Sequence, residues 1–300
     1  MILLKKLLLF CILITPLWSW GQIATPNYQA KLDEALKPLA TIVLPELKAD
    51  SSYQAKGNLK RNYWLAEAGQ QIPYRLYVPS SYQAGKTPLI VLLHGGGGNE
   101  NTLMDRGNSI ALKLAEKHGY IVLSPLGYMP IGAYGTPLRL PAVYGKPEEQ
   151  AKQKAVFAKD TARQKILALS EKDVMNVLAL VRKEYQPDPN NIFLAGHSMG
   201  SGGTWYLGAK YWQIWKALAP MSGPFIDEAT YQFVSIKSKP IFMSEGTLAD
   251  PSLESSRLLA KYLEKENFIL TYKEIEANHS DMSSLILPDV FAFFDKQLQK

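Results

Sequence analysis

Short runs in which every residue is apolar recur along this chain, and the stretches between them place apolar residues at helical spacing. Pro88 introduces Leu89-Ile90-Val91-Leu92-Leu93, and Tyr120 to Leu123, Ile192 to Ala195, Ala217 to Ala219 and Ile241 to Met243 repeat the type. Unbroken apolar runs this short suit strands buried on both faces. Ile269 to Ile275 adds a partly alternating strand. Ahead of the series, Asn62 to Ala66 and Ile72 to Val78 alternate around Ala68-Gly69, the pattern of an antiparallel hairpin. Ile110 to Lys117 reads as a helix closed at His118-Gly119, with glycine where a left-handed cap belongs. Ser170-Glu171-Lys172-Asp173 resembles a helix start, with Val174, Leu178 and Val181 on one face. Leu253 to Glu266 and Ser283 to Leu298 complete the helices. The expected fold class is α/β: a mostly parallel sheet with leading antiparallel strands and helices on both faces.

Two segments stand outside this alternation. Residues 1–21 carry Lys5 and Lys6, an apolar run from Leu7 to Ile14, Pro16, and a Ser19-Trp20-Gly21 exit. That is the layout of a secretory signal peptide with cleavage expected after Gly21, and the run is far below the roughly 20 residues of a membrane span. Residues 22–58 read as an N-terminal arm with a helix near Asn27 to Leu36. Residues 59–300 form the expected catalytic domain, interrupted at 125–169 by an insertion rich first in Gly, Pro and Tyr and then in Lys and Ala. A connection of that length is either a surface excursion with a short helix over Glu148 to Lys159 or a rim or lid over a site. Tyr128, Tyr134 and Tyr144 there, with Trp205 and Phe225, are candidate pocket residues, although Trp205 and Phe225 also fit a core role.

Composition narrows the chemistry. The single cysteine, Cys11, falls inside the expected signal, which leaves no thiolate nucleophile, thiolate metal site or disulfide in the mature chain. Losing Lys5 and Lys6 lowers the formal charge from +6 to +4, and the remaining Lys and Arg are interspersed with Asp and Glu. That reads as a solvated surface with no nucleic-acid partner. No stable membrane span is expected after signal cleavage, and no histidine–carboxylate cluster has metal-ligand spacing.

The strongest motif is Gly196-His197-Ser198-Met199-Gly200, a G-x-S-x-G match between a buried strand and a segment able to be helical. A serine on such a tight turn needs small neighbours where backbones pass closely, and the helix N-terminus offers a positive field to a developing oxyanion. His94-Gly95-Gly96-Gly97-Gly98-Asn99 follows the strand at Leu89 to Leu93, and its successive glycines leave N–H groups free to meet an oxygen. Gly96, with Gly95 as near neighbour, and Met199 are the expected oxyanion donors. A phosphate-binding reading fails, because neither a following Lys-Ser/Thr nor G-x-G-x-x-G spacing is present.

A serine hydroxyl needs a base. Of four histidines, His94 belongs to the glycine loop, His118 ends a helix and His197 is aimed away by its place on the elbow. His279, between the last strand and the last helix, is therefore the expected base. The acid should fall between serine and histidine in the chain, in a loop after a strand. Asp250 is first choice, Glu245 second, and Asp227 and Asp281 weaker.

With these residues in hand, the chain resembles the secreted α/β-hydrolase esterases that include polyhydroxybutyrate depolymerases and the feruloyl and acetylxylan esterases of carbohydrate esterase family one, and related predicted peptidases. The matching stretches are Pro88 to Gly96, Asn191 to Gly200 and Gly203-Thr204-Trp205, and the likeness runs from about Lys60 onward. It implies an α/β-hydrolase fold, an ester-cleaving triad of Ser198, Asp250 and His279 with no cofactor, and an ester substrate that is either a small molecule or polymer-linked. The acid loop Gly246-Thr247-Leu248-Ala249-Asp250 is one residue longer than the usual Gly-x-x-Asp, which keeps Glu245 in play. A serine peptidase on the same fold and a non-catalytic binding protein are the competing classes.

Overall fold

The structure is a computed structural model that describes residues 25, 27–44, 53–137, 155, 159–226, 231–248 and 250–298. The expected signal segment and the expected helix over Glu148 to Lys159 fall wholly or largely outside these residues, as do Tyr144 and Asp227. Among the described residues no helix is long and apolar enough to cross a membrane.

Eight strands make one sheet: β1 (Gly57–Leu65), β2 (Gln70–Val78), β3 (Leu89–Leu93), β4 (Ile121–Pro125), β5 (Ile192–His197), β6 (Leu218–Met221), β7 (Ile241–Gly246) and β8 (Leu270–Ile275), in the spatial order β1-β2-β4-β3-β5-β6-β7-β8. β1 and β2 form the expected antiparallel hairpin, and β2 pairs antiparallel with β4. Every other pairing is parallel.

The apolar runs are continuous because both faces are covered. Along β3, Leu89, Val91 and Leu93 enter one core with Val174, Val177 and Leu178 of α3 (Thr161–Tyr185) and Leu207 of α4 (Met199–Lys210). Ile90 and Leu92 enter the other with Leu112 and Ala115 of α2 (Thr102–His118) and Phe291 and Phe294 of α7 (Leu287–Leu298). The arm helix α1 (Tyr28–Leu36) joins this second core through Leu32. α5 (Leu253–Lys265) lies on the first face, and the one-turn α6 (Met282–Leu285) precedes α7.

Two helices begin well before the sequence pattern places them. α3 begins nine residues before the expected cap, where Asp160 accepts the Arg163 N–H at 2.8 Å. Ser170 and Asp173 are interior to that helix. They accept the N–H groups of Tyr134 and Tyr128 at 2.9 and 2.7 Å, and Asp173 also takes the Tyr63 hydroxyl at 2.8 Å. Their polarity serves the neighbouring loop and caps nothing. α2, expected from Ile110, starts at Thr102 and is interrupted by non-helical residues Arg106 to Ser109.

The switch point lies between β3 and β5, because β3 is followed by β4 on one side and β5 on the other. The crevice beyond the carboxyl ends of such strands is where open α/β sheets place ligands. The glycine loop after β3 and Ser198 after β5 both open there.

Candidate active site

Ser198 occupies φ 57°, ψ −116°, a conformation an L-residue holds only under constraint from its surroundings. The constraint is visible in the glycines. A Cβ on Gly196 would stand 2.2 Å from the Gly200 carbonyl oxygen, and one on Gly200 would stand 2.2 Å from that of Leu93. The Ser198 N–H is held by the Met221 carbonyl at 2.9 Å. Strand and helix therefore pinch the turn, and the serine side chain emerges at its tip.

The structure brings His279 to that tip, with Nε2 2.8 Å from Ser198 Oγ. Its Nδ1 lies 3.0 Å from Asp250 Oδ2. The Asp250 side chain is fully buried while that of His279 keeps 20% exposure, so the imidazole spans from the protein interior to the open crevice. Asp281 is turned to other partners, the Thr25 N–H and the Asn278 amide.

The loop carrying His279 is braced on several sides. His197 Nε2 donates to the His279 carbonyl at 2.6 Å, Arg106 reaches the Ser280 carbonyl at 2.8 Å, and the Asn278 N–H donates to Thr25 Oγ1 at 3.0 Å. Burial and the nearby His279 push His197 far below the ordinary histidine range, so it is a neutral N–H donor. The arm, the kink of α2 and the elbow thus converge on one loop.

Two carboxyl groups share the pocket behind the imidazole. Asp250 Oδ1 accepts the Ser252 N–H at 3.0 Å and lies 2.7 Å from Ser252 Oγ, which is also 3.1 Å from Glu245 Oε1. One hydroxyl proton cannot serve both oxygens. Burial and the charge of Asp250 push Glu245 well above the usual carboxyl range. Burial would also raise Asp250, but the hydrogen bond and charge of His279, with contacts from Glu245 and Ser222, hold it well below that range. Glu245, which also meets the Ser256 hydroxyl, is therefore the carboxyl driven toward its neutral form, and Asp250 the one held charged. The carboxyl that faces the histidine is the charged one.

The glycine loop covers the elbow. A Cβ on Gly95 would come 3.4 Å from Ser198 Cβ, and one on Gly96 would come 3.9 Å from Met199 Cβ. The Gly97 and Gly98 N–H groups are committed to the carbonyls of Pro130 and Gly95 at 2.8 and 3.1 Å. Those of Gly96 and Met199 meet no acceptor among the described residues. His94 fixes the loop from beneath, its ring between the Gly95 and Leu126 carbonyls at 2.7 and 2.9 Å.

The sequence pattern misplaced Tyr134, allowed the core role that Trp205 takes, and missed Ser222. Tyr134 does not line a pocket: it is fully buried, and its hydroxyl donates to the His94 carbonyl at 3.1 Å, which makes it a support for the glycine loop. Trp205 is fully buried core, whereas Phe225 is partly exposed. The missed residue is Ser222, just after β6, whose Oγ lies 2.6 Å from Asp250 Oδ2 and 2.7 Å from His279 Nδ1. Its only sequence signal is a hydroxyl at the carboxyl end of a parallel strand, in Met221-Ser222-Gly223.

No protein-family model matches the chain. It is 25% identical over 213 residues to the bifunctional acetylxylan esterase/xylanase XynS20E of Neocallimastix patriciarum, covering 71% of this chain and 25% of that protein. The chain thus spans about a quarter of the length of that curated relative. A thermostable esterase matches with TM-score 0.57 and 23% identity over 80% of this chain and 62% of its own. A ferulic acid esterase matches with TM-score 0.58 and 14% identity over 80% of this chain and 98% of its own. At these identities the shared property is the fold, and with the strand order above it shows that this chain has the α/β-hydrolase fold.

Proposed function

We propose that this chain is a secreted serine hydrolase that cleaves carboxylic esters through an acyl-enzyme, with Ser198 as nucleophile, His279 as base and Asp250 as orienting acid. The reading rests on the 2.8 Å approach of His279 Nε2 to Ser198 Oγ, backed by Asp250 at Nδ1. Ser198 Oγ attacks the ester carbonyl while His279 takes its proton, and Asp250 stabilises the resulting imidazolium. The Gly96 and Met199 N–H groups receive the oxyanion, each worth about 3 kcal/mol of transition-state stabilisation. His279 then protonates the departing alkoxide, and water, activated by the same imidazole, releases the acid and restores Ser198. No cofactor enters these steps. Acetylxylan and feruloyl esters are the substrate class that the esterase relatives suggest. The signal-like residues 1–21 support secretion or export to a periplasm.

The test is hydrolysis of short-chain p-nitrophenyl esters by the chain from Gln22 onward, beside Ser198→Ala, followed by acetylated xylan, feruloyl esters and peptides. Ester turnover that is lost in Ser198→Ala supports the reading. Peptide cleavage without ester cleavage favours a peptidase on the same fold, and inactivity of folded protein on every substrate favours a binding role.

A further inference from the structure

We propose that Ser222 is a positioning residue of this site: its hydroxyl accepts the hydrogen bond of His279 Nδ1–H and donates its own proton to Asp250, which fixes the imidazole tautomer that leaves Nε2 free for Ser198. The inference rests on the serine hydrolase reading. Its evidence is a closed triangle of contacts: Ser222 Oγ to Asp250 Oδ2 at 2.6 Å, Ser222 Oγ to His279 Nδ1 at 2.7 Å, and His279 Nδ1 to Asp250 Oδ2 at 3.0 Å. The route through the hydroxyl is made of the two shorter contacts.

Proton counting sets the direction. Ser222 has one proton and a carboxylate has none, so at 2.6 Å the proton of Ser222 lies toward Asp250. The lone pairs of Oγ then face Nδ1, and a contact of 2.7 Å there requires the proton to be on the imidazole. The opposite arrangement, with Ser222 donating to Nδ1, would set two acceptor oxygens 2.6 Å apart unless Asp250 were protonated. Burial and the charge of Asp250 drive Glu245 toward its neutral form, while His279 holds Asp250 toward its charged form.

Ser222 is also built into place. It is fully buried, its N–H donates to the Ser244 carbonyl at 2.8 Å, and its φ of 61° lies in the left-handed region where glycine is the easy choice. A hydroxyl-bearing side chain stands there against the backbone preference, and it meets both the base and the acid, with Glu245 beside them.

The experiment compares wild type with Ser222→Ala and Ser222→Gly by imidazole nitrogen NMR and ester kinetics, with His279→Asn to assign the resonance. Glycine relaxes the positive φ, so it separates loss of the hydroxyl from backbone strain and supplies a folded variant if alanine disturbs the turn. The expected result is a single Nδ1–H tautomer for His279 in wild type and a mixture with the Nε2–H form in both variants. Turnover should fall about tenfold to a hundredfold, the cost of one hydrogen bond to a charged pair, with KM within about threefold. An unmixed Nδ1–H tautomer and turnover within about threefold in both variants would overturn the proposal. A tautomer shift in protein that hydrolyses no ester would sink the esterase reading and leave the role of Ser222 standing.

Discussion

Replacing Asp250 by asparagine exchanges one oxygen for an NH2 group, and the surroundings make that exchange costly wherever the NH2 falls. Oδ1 faces the Ser252 N–H and hydroxyl, and Oδ2 faces the Ser222 hydroxyl and His279 Nδ1. An NH2 at the first position opposes the backbone donor, so the amide settles with its NH2 toward Nδ1. The imidazole then accepts at Nδ1 and carries its proton on Nε2, the atom that has to take a proton from Ser198. The loss of that tautomer together with the carboxylate charge is worth about 10⁴ in turnover in a serine protease triad, or about 5.5 kcal/mol of barrier. Glu245→Gln is the matched control. Burial and Asp250 drive Glu245 toward its neutral form, and its oxygens meet the Ser252 and Ser256 hydroxyls, which can pair with an amide as well, so turnover should stay within about tenfold. The assay is steady-state p-nitrophenyl ester hydrolysis by both variants, with thermal melts to establish that each is folded. Near-normal turnover in Asp250→Asn, or a 10⁴-fold loss in Glu245→Gln with Asp250→Asn spared, would refute this assignment of the two carboxyls.

Three further outcomes follow from packing and burial. Gly200→Ala puts a Cβ 2.2 Å from the Leu93 carbonyl oxygen, so soluble folded protein should be lost; a variant that melts like wild type contradicts the pinched elbow. Leu32→Ala removes the buried anchor of the arm and should cost about 2–5 kcal/mol in denaturant unfolding, whereas no loss would mean the arm does not contribute to the core. Burial raises Asp173 from 3.8 to about 6, so the folded chain holds that proton to higher pH than the unfolded chain does. Its stabilising effect is complete below the unfolded value and fades as pH rises through 6, by about 3 kcal/mol. Asp173→Asn cannot titrate, so its melting temperature relative to wild type should climb between pH 4 and 7; a flat difference would contradict the raised value.

The hydrophobic pattern was most informative where both faces of the sheet are covered and least where the site begins. β3 spans the expected Leu89 to Leu93 and no more, but β4, β5, β6 and β7 each run two or three residues past their apolar stretches, into Ser124-Pro125, Gly196-His197, Pro220-Met221 and Ser244-Glu245-Gly246. Those extensions lie at the carboxyl edge, where the parallel ladder continues through β5, β6 and β7 and the end of β4 pairs antiparallel with β2. The apolar pattern thins there because polar residues of the candidate site begin to take its place. The serine elbow, the glycine loop and the histidine loop were legible because each needs a residue type that is rare in its position. Ser222 was not, because a buried serine carries no periodicity and its role depends on two residues 28 and 57 positions away. The early start of α3 was hidden for a related reason: Ser170 and Asp173 look like a cap until the loop they serve is seen.

The most direct test of the central claim is the mass of the protein after exposure to a fluorophosphonate, which reacts with an activated serine. The account predicts one adduct per chain, carried on the peptide containing Ser198, and its absence from Ser198→Ala and His279→Asn. Folded wild-type protein that stays unmodified, or labels equally in Ser198→Ala, would contradict it.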